Sequence, residues 1–424
     1  MIKRTEKKLV VGLEIGTSKI ITLIGEILPD SMINIIGIGN CQSRGMEKGS
    51  ITNLDLVVTC IQQAIDQAEL MANCRISSLY LAISGKYIQY QNEIGMVPIV
   101  EEVTLEDLEN VVHIAKSVKV CDEHRILHVI PQEYSIDNQD GIKYPVGLSG
   151  VRMQAKVHII TCHNDMVKNV VKAVERCGIT VDKLIFSGLA SSYAVITEDE
   201  RELGVCVVDI GGGTMDMTIY TAGALRHSKV IPYAGHTVTR DISYAFNIPI
   251  LDAEFIKIQY GCAFRAMVNK EEQLEIPSMG GRPTRNLQRQ NLVEVIEARY
   301  SELLHLINDE ILRLQDQLRK NGITHHLSAG IILTGGASKI EGILNNAQKV
   351  FNNQVRIGYP INISDLTDYI KGPCYSTAVG LLQYGKEIRF HGEKKLEKNP
   401  FFSAFLRKIR NWIRKDGHFI MLLL

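Results

Sequence analysis

GVCVVDIGGGTMDMTIYTAGAL (204–225) decides the fold. An apolar run of strand-forming residues enters an acidic residue, Asp209, turns on three glycines and returns as a second apolar run. LRHSKVIPYAG (225–235) supplies a third strand. The same grammar stands at LVVGLEIGTSKIITLIGEI (9–27), followed by INIIGIGN (33–40), with Glu14 in the place of Asp209. The two copies are 195 positions apart, close to half of the 424 residues. One period is too few for a solenoid, so two similar α/β lobes facing one another are expected.

Outward from the hairpins, LDLVVTCIQQAIDQAELMA (54–72) has helical periodicity and SLYLAISG (78–85) reads as a buried strand. Between the copies, TLEDLENVVHIAKSV (104–118) predicts an amphipathic helix opened by a Thr-x-x-Asp cap, flanked by strands at 125–136 and 151–162. This is a small inserted α/β unit. NDMVKNVVKAVERCG (164–178) returns to helix, and KLIFSGLASSYAVI (183–196) joins the halves. In the second half, 236–302 is more polar and irregular, 291–318 is helical, and HLSAGIILTGGAS (326–338) is a strand ending in a glycine pair. Residues 386–400 are densely charged and read as an exposed linker.

Lysine plus arginine and aspartate plus glutamate both number 47, which argues against general binding of nucleic acid by the body of the protein. The nine cysteines form no C-x-x-C pair, so reduced thiols are expected rather than a zinc site or a disulfide framework. No run is long and apolar enough for a spanning helix, and no signal peptide is expected.

A glycine turn at the end of a strand leaves backbone N–H groups open to a phosphate, because no Cβ blocks the approach. Thr214 adds a hydroxyl, and Asp209 is a hard oxygen ligand suited to a hydrated Mg²⁺. One such turn alone is also a plain β-hairpin with a glycine tip. Two at duplicated positions, with Gly16, Thr17, Ser18 and Lys19 in the first and Gly211, Gly212, Gly213 and Thr214 in the second, would grip one nucleotide's phosphates from both sides. LTGGAS (333–338), with Gly335, Gly336 and Ala337, would lie by an adenosine. Neither a GxxxxGK[ST] loop nor a GxGxxG fingerprint after the first strand is present.

The combination of GLEIGTSK, VVDIGGGTMD, IILTGGAS and a closing YSTAVGLL (375–382) resembles the actin-like ATPase superfamily. With HVIPQEY (128–134), GLSGVRM (147–153) and GGRPTRNLQRQ (280–290), it is similar more closely to the FtsA family of bacterial cell-division proteins, over residues 1 to about 415. The resemblance implies an α/β fold of actin-like, ribonuclease-H-like duplicated lobes around a nucleotide cleft, with ATP and Mg²⁺ between them. It implies a first lobe from 1–85, 162–195 and 360–385, an inserted subdomain at 86–161 for self-association and later division proteins such as FtsN, and a second lobe from 196–235 and 303–359. It further implies a small subdomain at 236–302 that receives the C-terminal peptide of FtsZ, with Arg299 and Glu302 as candidate contacts. DAEFIKIQYG (252–261) matches the segment against the adenine, which makes Glu254 and Lys257 candidates for base and ribose contacts. The implied role is a filament-forming adaptor that ties the FtsZ ring to the cytoplasmic face of the inner membrane at the septum. The competing reading is a soluble ATPase or small-molecule kinase of the same fold.

FFSAFLRKIRNWIRK (401–415) fits that role. On a helix, Phe402, Phe405, Leu406, Ile409, Trp412 and Ile413 form one face, and Arg407, Lys408, Arg410, Arg414 and Lys415 the other, the pattern of an interfacial helix on anionic lipid. An apolar extension, 416–424, follows it. Two departures from the superfamily pattern stand out. Glu14 replaces the usual Asp, and Gly188 stands about where chaperone-like relatives carry a water-orienting Glu, so at most slow hydrolysis is expected.

Overall fold

The computed structural model describes residues 8–30, 32–117, 121–277, 283–320, 326–364 and 370–397, with side chains up to 388. Two sheets carry the duplication. In the first, Leu9–Ile15, Lys19–Ile27 and Ile33–Gln42 form an antiparallel meander, and Ser78–Ile83 and Thr180–Phe186 extend it in parallel from the Leu9–Ile15 side. In the second, Val205–Ile210, Met215–Thr221 and Ala224–Ile231 repeat the meander, and Ile331–Thr334 and Val355–Ile357 repeat the parallel extension. The order of these five strands is therefore the same in both, and the first sheet gains a sixth, Ile363–Ser364, in parallel beside Ile33–Gln42. The register is the same too: Glu14 pairs with Ile21, and Asp209 pairs with Asp216 at the 195-residue offset.

These elements form because their sequences alternate or run continuously apolar where both sheet faces are covered. Helix Leu54–Ala72 buries Val57, Ile61, Ala64, Ile65 and Ala68 against the first sheet, and its N-terminus is capped by the Asn53 side chain. Helix Arg289–Lys320 buries Leu292, Ile296, Tyr300, Leu303, Leu304 and Ile307 under the second. A third core joins the lobes, where helix Ser187–Val195 meets the closing helix Ser376–Glu397 through Ala190, Ala194, Ala378 and Leu382.

The inserted unit is an antiparallel sheet of Ile88–Pro98, Arg152–His163, His124–Ile136 and Gln139–Ile142, backed by helix Leu105–Lys116. Thr104 and Asp107 close the expected capping box on that helix. The sheet seats on strand Ala224–Ile231 of the second lobe. There Gln132 donates to the Leu225 carbonyl (2.7 Å), Arg226 pairs with Glu133 (2.8 Å), and buried His158 lies between Asn92 (2.7 Å) and Ser228 (2.9 Å).

Two segments differ from expectation. The 236–302 stretch is more regular than its polarity suggests: helices Gly235–Phe246 and Ile250–Tyr260 and the hairpin Gln273–Ile276 with Arg285–Gln288 precede the long helix. A stripe of only Gly235, Val238, Thr239 and Ile242 anchors the first helix, and that is too sparse a pattern to read in a polar sequence. The linker expected from 386 begins instead as the last turns of the closing helix, which runs to Glu397. KEIRFHGEKKLE is rich in strong helix formers, and its charge density does not oppose helix. The amphipathic segment 401–415 and the extension 416–424 lie outside the described residues. Among the described residues no helix is long and apolar enough to cross a membrane.

Candidate functional site: a cleft between the two hairpins

Duplicated turns build the site. In the first hairpin the Gly16 N–H donates to the Lys19 carbonyl (3.0 Å), and in the second the Gly211 N–H donates to the Thr214 carbonyl (2.9 Å), the same bond 195 residues on. The two tips meet face to face, and both line a cavity of about 580 Å³, a volume suited to a nucleotide-sized ligand. Their approach requires glycine. A Cβ at Gly212 would lie 2.0 Å from Ser18 Oγ, and one at Gly213 would lie 2.5 Å from Thr17 Oγ1 and 3.0 Å from Lys48 Cα.

Three carboxylates converge beneath the tips. Asp209 accepts from Thr377 Oγ1 (2.8 Å), which the closing helix delivers. Asp216, its cross-strand partner, is held by Ser84 Oγ from the first lobe. Glu14 is only partly buried as a residue, but its Oε2 is sealed from solvent and has no hydrogen-bond partner. Burial raises the pKa of all three. For Glu14 it reaches about 7, with Lys19 opposing and Asp209 adding to the rise. Asp209 is raised by burial against the hydrogen bond from Thr377 and the charge of Lys19. Asp216 is raised well above its ordinary value by burial and then by Asp209. Lys19 Nζ donates to the Cys374 carbonyl (2.5 Å) and lies 4.7 Å from the centre of the Tyr375 ring, so it bridges to the start of the closing helix.

On the far wall Gly335, Gly336 and Ala337 line the cavity, and the Ala337 carbonyl accepts from Tyr300 (2.9 Å). Glu254 and Lys257 join them from helix Ile250–Tyr260. Lys257 Nζ contacts the Gly235 carbonyl (3.1 Å), Thr239 Oγ1 (2.8 Å) and Glu254 Oε2 (2.7 Å), partners for all three of its protons. Burial works to raise Glu254, but Lys257 and the Thr239 hydroxyl outweigh it and hold the carboxylate low. Lys257 is thus placed to hold Glu254 and Thr239 rather than to reach out itself.

The sequence-predicted phosphate, metal and adenosine residues therefore all line one cavity. Arg299 and Glu302 stand apart from it, paired with each other, and Arg299 also holds Asp241 of the neighbouring helix. The predicted membrane contacts lie outside the described residues. Sequence reasoning missed Asp216, Ser84, Thr377 and His236. Asp216 had a signal, since the tight turn of DIGGGTMD sets it directly opposite Asp209. Ser84, Thr377 and His236 arrive from separate elements and had none. Gly188 sits behind Asp216, where an added Cβ would meet the Phe186 ring at 2.8 Å and Asp216 Cβ at 3.2 Å.

Duplicated sheets with a shared five-stranded order, set around a two-hairpin cleft, define the actin-like class. Solved structures agree. The chain aligns with one from the PilM–PilN type IV pilus biogenesis complex at 16% identity and TM-score 0.64, covering 89% of this chain and 98% of that one. It aligns with MreB5 of Spiroplasma citri bound to ADP at 13% identity and TM-score 0.51, covering 93% and 100%. Within the class, residues 206–380 match the family described as cell division protein FtsA, and residues 85–161 match the SHS2 domain inserted in FtsA. The chain is 67% identical to cell division protein FtsA of Escherichia coli K12 over 98% of its own length and all of that protein. It is 44% identical to the Pseudomonas aeruginosa counterpart, over 96% and 98%. The chain belongs to the FtsA family of cell-division proteins.

Proposed function

We propose that the cleft binds ATP with Mg²⁺, and that the protein assembles at the inner face of the cytoplasmic membrane, holds FtsZ and recruits later division proteins. The observation that carries the nucleotide reading is the pair of duplicated tips over a buried, unpartnered Glu14 carboxylate oxygen. Three carboxyls raised by burial, with Asp209 adding to the rise at Glu14 and Asp216, are the donor set a hard divalent cation would relieve. When bound, the cation would shield the charge between the phosphates and these carboxylates. Glu14 and Asp209 would hold it, through water where reach requires, while backbone N–H groups of the two tips take the phosphates. With Gly188 in place of a longer polar residue, no side chain from that position orients water, which supports slow turnover at most.

Membership of the FtsA family supports the divisome roles. In this reading the inserted unit, 86–161, mediates self-association and contact with proteins such as FtsN. The 236–302 subdomain takes the FtsZ C-terminal peptide near Arg299 and Glu302, where the peptide competes for groups that already pair with one another. The tail 401–415 lies in the membrane interface. Its five basic residues near an anionic leaflet contribute at best about 1 kcal/mol each. One such helix holds weakly, so filament assembly multiplies its grip by avidity.

Co-sedimentation with anionic liposomes tests this. The full chain is expected in the pellet, more so with MgATP, and a chain ending at residue 399 in the supernatant. Equal pelleting of the two chains would remove the tail from the account.

A further inference from the structure

We propose that His236 is a phosphate-contacting residue of the cleft, which spans the two hairpin tips and takes up a proton as a nucleoside triphosphate enters. This rests on the nucleotide reading and goes beyond it by naming a titrating contact.

The geometry fixes the imidazole at the junction of the lobes. Helix Gly235–Phe246 starts at the second tip, with the Gly235 and His236 N–H groups donating to the carbonyls of Gly211 (3.1 Å) and Gly212 (2.8 Å). From that anchor His236 Nε2 reaches 2.9 Å from Ser18 Oγ in the first tip, and a Cβ built on Gly212 would lie 3.2 Å from the same nitrogen. The ring is half-buried and lines the cavity. A phosphate gripped between the tips therefore meets the imidazole edge, where Nε2 now meets the Ser18 hydroxyl.

The surroundings favour the neutral ring before a ligand arrives. Burial lowers its pKa, and Lys257 and Arg240 lower it further, against Glu254, which favours the proton. Glu254 and Lys257 face it from helix Ile250–Tyr260, and Arg240, on its own helix, is itself paired with Glu47 of the first lobe (2.9 Å). Lys48 lies beside the second tip. An arriving terminal phosphate adds negative charge against Nε2 and raises the pKa, so the bound state holds more protons than the free state. Affinity then falls as pH rises through the bound-state pKa, at most about tenfold per pH unit for one proton. A diphosphate, which lacks the terminal group at the tips, shows less of this.

The test is calorimetric titration of MgADP and a magnesium-bound, non-hydrolysable ATP analogue into the full chain and into His236→Gln, from about pH 6 to about pH 8. Glutamine keeps a hydrogen bond to Ser18 without titrating. Two buffers of different protonation enthalpy report proton uptake directly. The nucleotide's own titration is common to both chains. Wild type is expected to take up a larger fraction of a proton than the variant on binding the triphosphate, and to lose roughly fivefold more affinity across the range. Equal proton uptake and parallel pH profiles, including a variant uniformly weaker at every pH, would overturn the proposal while leaving nucleotide binding intact. If wild type binds neither nucleotide at any pH, the nucleotide reading falls and this inference falls with it.

Discussion

Replacing Gly335 with alanine is expected to destabilise the protein by about 3 kcal/mol and to abolish nucleotide binding at the cleft. Gly335 has φ 86° and ψ 168°, a region that essentially only glycine occupies. The added Cβ would lie 2.2 Å from Asp209 Oδ1 and 2.5 Å from the Ile210 carbonyl oxygen. Asp209 has little room to move, because Thr377 holds its other oxygen and the site around it is buried. Backbone strain and a clash with main chain therefore add at one position. In a lobe of this size the melting temperature should fall by about 10 °C. A variant that melts within a degree or two of wild type and still binds nucleotide would refute this view of the third strand end.

The second large effect has the opposite sign for stability. Glu14→Gln is expected to stabilise the nucleotide-free protein at about pH 8 while weakening its binding of magnesium-nucleotide. The Glu14 pKa rises from 4.5 to about 7 on folding, so the folded state binds more protons than the unfolded state between those values. Its contribution is fully present below pH 4.5 and is lost as pH rises through about 7. Above that, wild type keeps a buried, unpartnered carboxylate, and glutamine does not. The difference is about 3 kcal/mol at pH 8 and vanishes toward pH 4.5. Thermal melts of both chains across this range measure it directly. A glutamine variant less stable than wild type at pH 8 would mean that the Glu14 carboxylate is already neutralised within the protein. Such a trade, in which stability is given up for a site that a ligand completes, is common where charge is gathered for binding.

The two hairpins were legible because a strand pair with a glycine tip leaves a local signature, and the repeat at 195 residues gave it a second witness. The shared register, Glu14 opposite Ile21 and Asp209 opposite Asp216, shows how far the duplication holds. It also shows where the copies diverge. Ile21 is core, whereas Asp216 is a third carboxyl of the site. Contacts made by chain returns were out of reach. Thr377 meets Asp209 from 168 residues away, and His236 meets Ser18 from 218. Neither carries a spacing that a sequence can betray. Lys257 was singled out as a base or ribose contact, but its circumstances were not legible, since commitment of all three protons is a tertiary fact. The closing helix outran its expected end because charge density was read as linker where lysine and glutamate also favour helix.

Calorimetric titration of ATP into the full-length wild-type chain, with magnesium and with a chelator, tests the central claim most directly. The account predicts saturable one-to-one binding that is tighter with magnesium than with the chelator. Absence of binding in magnesium, or binding that magnesium leaves unchanged, would contradict a cleft in which duplicated tips and buried carboxyls hold a nucleotide with its metal.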